Sequence, residues 1–300
     1  MYGEILDFFK NNDVKYKTDC CLSVKSTVKI GGMADVAVFA DNENKLIASV
    51  EKCKELGLNY RILGRLSNTL VSDDGYRGIA FFTDGICYHE ISENSVTLSC
   101  GVRLGKLLSV FTREQIASFN PFYGIPGSVG GLVYDNAGAF GSECSDVFLS
   151  ARIYDTEKGK IYRVSNNEMK LAHRHSLLRE NRNLILLSAD FLRINDKGEN
   201  ILKAVRDCSK RRRESQPIEY PSLGSVFKKP SVGYAAEYID RLGLKGLCIG
   251  GAEVSRKHAG FIINRENATA NDYISLAERV SDLVYKKFGI LLDMEVEVLD

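Results

Sequence analysis

Proline is scarce in this chain of 300 residues: there are five, and three of them, Pro217, Pro221 and Pro230, crowd into one short stretch. Histidine is scarcer still, at four, and none of the eight cysteines forms a C-x-x-C pair. The ligand sets of a zinc site are therefore missing, and no metal is expected. No apolar run approaches the roughly eighteen residues of a membrane-spanning helix, so membrane insertion is excluded. The opening segment, MYGEILDFFKNNDVKYK, carries early acids and lacks the apolar stretch of a signal peptide. Neither sign of charge dominates, at +1 overall, so nothing draws the chain as a whole to nucleic acid. Lys210–Arg213 is the local exception and reads as a solvated helix face or end rather than a phosphate contact. Scattered cysteines without partners imply reduced thiols and a cytoplasmic location.

What is present is enough apolar content, 44%, for a substantial core, and enough length for two domains. Ile5, Leu6, Phe8 and Phe9 predict a short amphipathic helix, and Val36–Phe39 a strand. In NENKLIASVEKCKELG, Leu46, Ile47, Val50, Cys53 and Leu56 share a helical face that Gly57 ends. Strands are expected at Tyr60–Leu63, Ile79–Thr83, Val96–Cys100 and Ile185–Phe191, with a helix around Leu104–Phe111 and a hairpin turning at Lys158-Gly159. Further on the pattern predicts helices at Ile201–Arg212, Ala235–Leu242 and Ala270–Phe288, and a strand at Gly260–Asn264. The alternating ILLDMEVEVL reads as one closing strand. The turn residues NDKGEN place a domain boundary near residues 195–200, giving domains 1–195 and 196–300.

Glycine, by contrast, is concentrated in a different stretch. GIPGSVGGLVYDNAGAFG, Gly124 to Gly141, holds six glycines in eighteen residues. Such a segment is either an ordinary irregular loop or a backbone concavity suited to a pyrophosphate. ILGRLSNTLVSDDG and the Ile30-Gly31-Gly32 turn are two more candidates. None matches G-x-G-x-x-G opening a helix or the P-loop pattern. Three Gly/Ser/Asn loops fit a long phosphate-containing cofactor such as FAD.

Together these loops, in this order from Val24 to Val298, resemble the UDP-N-acetylenolpyruvoylglucosamine reductase family in its shorter form, with YPSLGSVF and KHAGFIIN as characteristic stretches. Gly124–Gly131 matches the G-I-P-G-S-x-G-G loop, and Asn136–Gly138 the N-A-G that follows. Gly31-Gly32 matches the early flavin loop and LGRLSN the pyrophosphate loop. Arg174 and Ser176 match R-x-S, Ser225 matches G-S-x-F, and Glu295 the terminal E-V. The resemblance implies an α+β fold: a two-part FAD-binding domain of the vanillyl-alcohol-oxidase (PCMH) type, with a C-terminal α+β substrate-binding domain. It implies non-covalent FAD, NADPH as reductant, and UDP-N-acetylglucosamine enolpyruvate as the small-molecule substrate reduced to UDP-N-acetylmuramate.

By the same resemblance, the FAD would be held by Ile30, Gly31, Gly32, Gly64, Arg65, Ser67, Asn68 and Gly101. Ile125, Pro126, Gly127, Ser128, Gly130, Gly131, Asn136 and Gly138 would complete its site. Arg174, Lys228, Lys229 and His258 would bind substrate. Ser225 would donate the proton, Arg174 stabilise developing enolate charge, and Glu295 orient or reprotonate the site. Without the resemblance, Ser225 reads rather as a turn hydroxyl, Arg174 as a surface ion-pair partner, and Glu295 as an outward residue on an edge strand. Four positions depart from the family pattern. Leu66 stands for a glycine, which calls for φ below zero or a shifted loop. His173 stands for a tyrosine, Lys229 for an asparagine, and Glu297 for a residue that is often basic. The alternatives are a flavin oxidase of the same fold and a non-catalytic flavin- or nucleotide-sugar-binding regulator.

Overall fold

In the computed structural model, which describes residues 2–300, the chain forms two units, each discontinuous in sequence. Among the described residues the first comprises 2–17, 36–65 and 78–210; the second comprises 18–35, 66–77 and 211–300.

The first unit begins with the helix Gly3–Asn11, which buries Ile5 and Phe9. The helix Glu43–Glu55 starts where the Asn42 side chain accepts the Lys45 N–H at 2.9 Å, and it buries Leu46, Val50 and Cys53 as the spacing requires. One sheet runs in the order Lys15–Cys21, Met33–Phe39, Tyr76–Phe82, Tyr60–Leu63. Its last two strands are parallel, with Leu63 opposite Phe82, so both strands finish at the same end of the sheet. The second sheet runs Lys160–Ser165, Phe148–Asp155, Leu184–Leu192, Ser95–Ser99, His89–Ile91 and is antiparallel throughout. Leu184–Leu192 is its central strand, buried almost along its length, and it opens on the apolar run Leu184–Leu187. Phe111 stacks on Phe119 at 4.9 Å between ring centres, and Phe119 meets Phe191 edge-on at 5.3 Å. The helix expected near Leu104 opens as a 3₁₀ turn, Leu104–Leu107, before the α-helix Leu108–Arg113.

The second unit holds a four-stranded sheet in the order Ser222–Ser225, Phe261–Asn264, Ala252–Val254, Cys248–Ile249. The helix Ala270–Phe288 buries Tyr273, Leu276, Ala277, Val280 and Val284 on one face. A Thr269/Asp272 capping box starts it and Gly289, at φ +68°, ends it. The helix Ala235–Arg241 buries Tyr238 and Ile239.

The closing strand is shorter than its alternation implies. Only Glu297–Leu299 is regular strand, paired in parallel with Thr69–Val71; before it, Met294 makes an isolated bridge to Phe227. The segment changes partner midway, so one alternating run serves two ladders. Among the described residues no helix is long and apolar enough to cross a membrane.

Candidate functional site

Because Tyr60–Leu63 and Tyr76–Phe82 are parallel, the loops that follow them emerge together. Gly64-Arg65 follows one and Thr83-Asp84 the other. Asp84 Oδ2 accepts from Arg65 Nη1 at 3.3 Å and from Arg103 Nη2 at 2.6 Å. Arg65 Nε donates to the Pro126 carbonyl at 3.2 Å, tethering the Gly124–Gly131 loop to the strand ends. That loop continues into the helix Val129–Tyr134, and the Val129 and Gly130 N–H groups bond Val102 O and Cys100 O at 2.9 and 2.8 Å. Gly101 lies so close to the Thr83 and Ile86 carbonyls that a side chain there would collide with backbone. Sequence reasoning missed Asp84 and Arg103. A single Asp-Gly and a single arginine carry no motif; the parallel pairing brings Asp84 to Arg65, and Arg103 reaches the same carboxylate.

Gly64 faces the Gly124–Gly131 loop across this cradle, since a Cβ there would lie 3.0 Å from Ser128 Oγ. Among the described residues the hydroxyls of Ser128 and Tyr123 are buried and have no hydrogen-bond partner. A buried hydroxyl left unsatisfied costs about 1–3 kcal/mol. The Ser128 hydroxyl, beside Gly64 and Gly130, is polar capacity that fits a bound polar ligand of the FAD kind, and Gly131 has open space around its Cα. Burial also pushes the Tyr123 phenol pKa up, so it stays a donor at neutral pH.

Asn136, expected among the FAD-binding residues, is held by its own side chain. It is buried, and its amide is fully used within the protein. Nδ2 donates to Glu143 Oε2 and to Ala172 O, both at 3.0 Å, and Oδ1 accepts the Ser145 N–H at 2.8 Å. Its side chain braces the segment that carries Arg174. There Ala172 and His175 exchange both backbone hydrogen bonds, at 3.2 and 3.0 Å, closing a tight turn. Arg174 occupies the turn at φ +54°, a left-handed conformation that costs a non-glycine residue about 1–2 kcal/mol. Buried Ser176 pins the next residue but one, its Oγ donating to Tyr134 O at 2.6 Å. The R-x-S pattern thus places the arginine at the strained position and the anchor two residues on.

In the second unit the strand Ser222–Ser225 pairs antiparallel with Phe261–Asn264. Ser222 lies opposite Ile263 and Ser225 opposite Phe261, so one strand carries an extra residue. Gly224, at φ +81°, takes up this bulge. Pro221 O accepts the Asn264 N–H and Gly260 O the Val226 N–H, both at 2.9 Å, fixing the chain on either side. Ser225 sits just past the bulge and is exposed. Buried Glu295 is joined to the same stretch, its N–H donating to Val226 O at 2.7 Å, and Lys228 N donates to Asp293 O at 2.9 Å. The structure therefore brings Ser225 and Glu295 onto neighbouring backbone segments. Arg174 belongs to the first unit.

Lys228 and Lys229 are exposed, and Lys229 Nζ lies 5.0 Å above the Tyr234 ring. His258 packs edge-on against Phe261 at 4.8 Å and accepts the Gly260 N–H at Nδ1, 3.1 Å away. Burial, reinforced by the charge of Lys245, holds its pKa below the usual histidine value, leaving a neutral ring with its proton on Nε2. Gly31 and Gly32 pack on residues 71–75, and Gly32 N donates to Ser72 O at 2.8 Å. Glu297, opposite Thr69, donates its N–H to Asn68 O at 3.0 Å, so its backbone holds the Ser67-Asn68 loop. Leu66 corrects an expectation: its φ is +49°, so the leucine keeps a glycine-type backbone, with 2% of its surface exposed.

Residues 34–165 match the family described as FAD binding domain, and residues 216–299 match the UDP-N-acetylenolpyruvoylglucosamine reductase, C-terminal domain. The chain is 38% identical over 289 residues to the UDP-N-acetylenolpyruvoylglucosamine reductase of Caldicellulosiruptor saccharolyticus, covering 96% of this chain and 93% of that one. To the protein of the same name from Syntrophomonas wolfei it is 37% identical over 300 residues, covering 100% of this chain and 99% of the other. The crystal structure of UDP-N-acetylenolpyruvylglucosamine reductase from Thermus caldophilus superposes with a TM-score of 0.80 at 26% identity, covering 96% of this chain and 99% of that one. The expected fold class, a PCMH-type FAD-binding domain with a C-terminal α+β domain, is borne out.

Proposed function

The chain belongs to the UDP-N-acetylenolpyruvoylglucosamine reductase family and is an oxidoreductase of peptidoglycan precursor synthesis; from that premise we propose that it reduces UDP-N-acetylglucosamine enolpyruvate to UDP-N-acetylmuramate with NADPH and non-covalent FAD. Residues 1–195 serve the FAD and 196–300 the substrate. Bound FAD supplies hydride transfer to the terminal carbon of the enolpyruvyl group. The cradle of Gly64, Ser128 and Gly130 is the part of this chain that fits it, with Arg65 tying the two loops together.

The remaining chemistry is assigned to side chains. A hydride added at the terminal carbon leaves negative charge beside the substrate carboxylate, and the adjacent carbon must take up a proton. Ser225 Oγ–H donates that proton and Glu295 restores it. Arg174 holds the carboxylate and the developing charge, for which a planar guanidinium is suited. A serine needs aim more than a lowered pKa for this work, because proton transfer occurs only within hydrogen-bond reach. The observation that carries the assignment is the bulge at Gly224, which fixes Ser225 on a chain hydrogen-bonded directly to the Glu295 segment.

Rapid-mixing absorbance of Ser225→Ala tests it. Reduction by NADPH should run at a near-normal rate. Reoxidation by the enolpyruvyl substrate should slow by roughly 10²–10⁴-fold, the usual worth of a positioned general acid. Equal slowing of both halves, or an undiminished second half, rules out Ser225 as the acid.

A further inference from the structure

Glu143 carries no motif, yet it joins residues that do. Its Oε2 accepts from Asn136 Nδ2 at 3.0 Å, and its Oε1 lies 3.3 Å from His173 Nδ1. Asn136 gives its other N–H to Ala172 O, the carbonyl that also closes the turn by accepting the His175 N–H. The two arms of the carboxylate thus reach both residues before Arg174: His173 directly and Ala172 through a buried amide. Glu143 is itself fixed, because its Cα pairs with Gly138 in a short ladder and its N–H donates to Asp146 Oδ2 at 2.9 Å.

A left-handed arginine in so short a turn does not hold itself. Freed of outside support, its backbone falls back to the lower-energy right-handed or extended regions, and the guanidinium turns with it. A carboxylate is a strong acceptor for such a brace, since hydrogen bonds to an ionised group are roughly twice as strong as neutral ones. We propose that Glu143 is a positioning residue for Arg174, holding the Ala172–His175 turn through Asn136 on one oxygen and His173 on the other. The proposal rests on the assignment of Arg174 to the substrate carboxylate made above. It also gives the histidine at 173 a use: a ring nitrogen in contact with that carboxylate.

Glu143→Ala and Glu143→Gln decide the matter, each read in three ways. In Glu143→Ala, amide hydrogen exchange at His175 should accelerate, while FAD content and reduction by NADPH stay within about twofold of the parent. Reoxidation by the enolpyruvyl substrate should slow by roughly 10–100-fold, the worth of one hydrogen bond to a charged group read as a rate. Glu143→Gln should recover most of that loss, because its amide oxygen still accepts from Asn136 and its N–H can face His173 Nδ1. In an Arg174→Lys background, Glu143→Ala should add little, since both changes remove one function. The proposal is overturned if both halves slow alike, if Gln is no better than Ala, or if the two substitutions add. Faster exchange at His175 with an undiminished second half, while Arg174→Lys is impaired, overturns the positioning role alone. An Arg174→Lys enzyme at full speed removes the assignment of Arg174 itself, and the positioning role with it.

Discussion

Leu66 offers a test in which the usual ranking of two small residues reverses. The side chain is 2% exposed and its φ is +49°. Truncating a buried leucine to alanine costs about 2.7–5 kcal/mol in lost transfer energy and residual cavity. Leu66→Ala incurs that whole loss and keeps the left-handed backbone penalty of about 1–2 kcal/mol. Leu66→Gly incurs a similar truncation loss but is released from the penalty. Against this stands the larger unfolded-state freedom of glycine, about 0.5–1 kcal/mol. Glycine should therefore be the more stable of the two by about 0.5–1 kcal/mol, although elsewhere in a chain alanine leads. For a protein of this size that is on the order of 1–3 °C in Tm. Thermal unfolding of both variants beside the parent, followed by circular dichroism, measures it. Leu66→Gly should also retain its flavin, since the backbone of the loop does not change, and denaturing precipitation should release that flavin into solution. An alanine variant as stable as the glycine variant, or more so, would refute the strain argument. A glycine variant that loses its flavin would show that the leucine side chain itself makes an essential contact.

Two further outcomes follow from buried titratable groups. Burial pushes the Cys53 and Cys100 thiols up to about 12 and raises Cys144 as well, whereas Cys87 and Cys248 are exposed. A thiol reagent near neutral pH should modify Cys87 in the native protein and leave Cys53, Cys100 and Cys144 untouched until it is denatured; rapid native labelling of Cys100 would contradict this. Burial alone would raise the Glu253 pKa, but Arg265 and Arg256 outweigh it and hold it below the usual glutamate value. A lowered folded-state pKa adds stability above the unfolded value, and that stability is lost as pH falls through the folded one. Glu253→Gln should thus be less stable near pH 7, with the gap closing below about pH 4. Denaturant midpoints across pH measure it, and a gap independent of pH would refute it.

What the sequence revealed and what it hid divide along the range of the interactions involved. Ala270–Phe288 was legible because its capping residues and apolar face are written within its own span. The hairpin Phe148–Ser165 announces its turn, and Leu184–Leu192 its burial. Arg174 was legible as a motif residue, but its left-handed turn was not. That conformation is imposed from positions 136 and 143, and nothing local to R-x-S encodes it. Asp84 and Arg103 stayed hidden for the same reason: a parallel strand pairing puts Asp84 beside Arg65. At Leu66 the steric preference for glycine gives way to a buried side chain, which a local reading of the loop does not reveal. ILLDMEVEVL misled because alternation reports which side faces the core, and is silent about which strand lies alongside.

The parallel pairing of Glu297–Leu299 with Thr69–Val71 also sets a timetable. On a ribosome, residues 18–35 and 66–77 leave the exit tunnel early, yet their own unit contains residues 211–300. At about 5–20 residues per second, Thr69–Val71 waits on the order of 10–45 s for its partner strand to be made. During that interval its backbone N–H and C=O groups on that side are an unsatisfied edge beside apolar neighbours such as Leu70, the kind of surface that recruits other chains. The newborn protein is therefore most exposed to aggregation while its synthesis is still under way, and slowing translation within the 211–300 region lengthens that exposure.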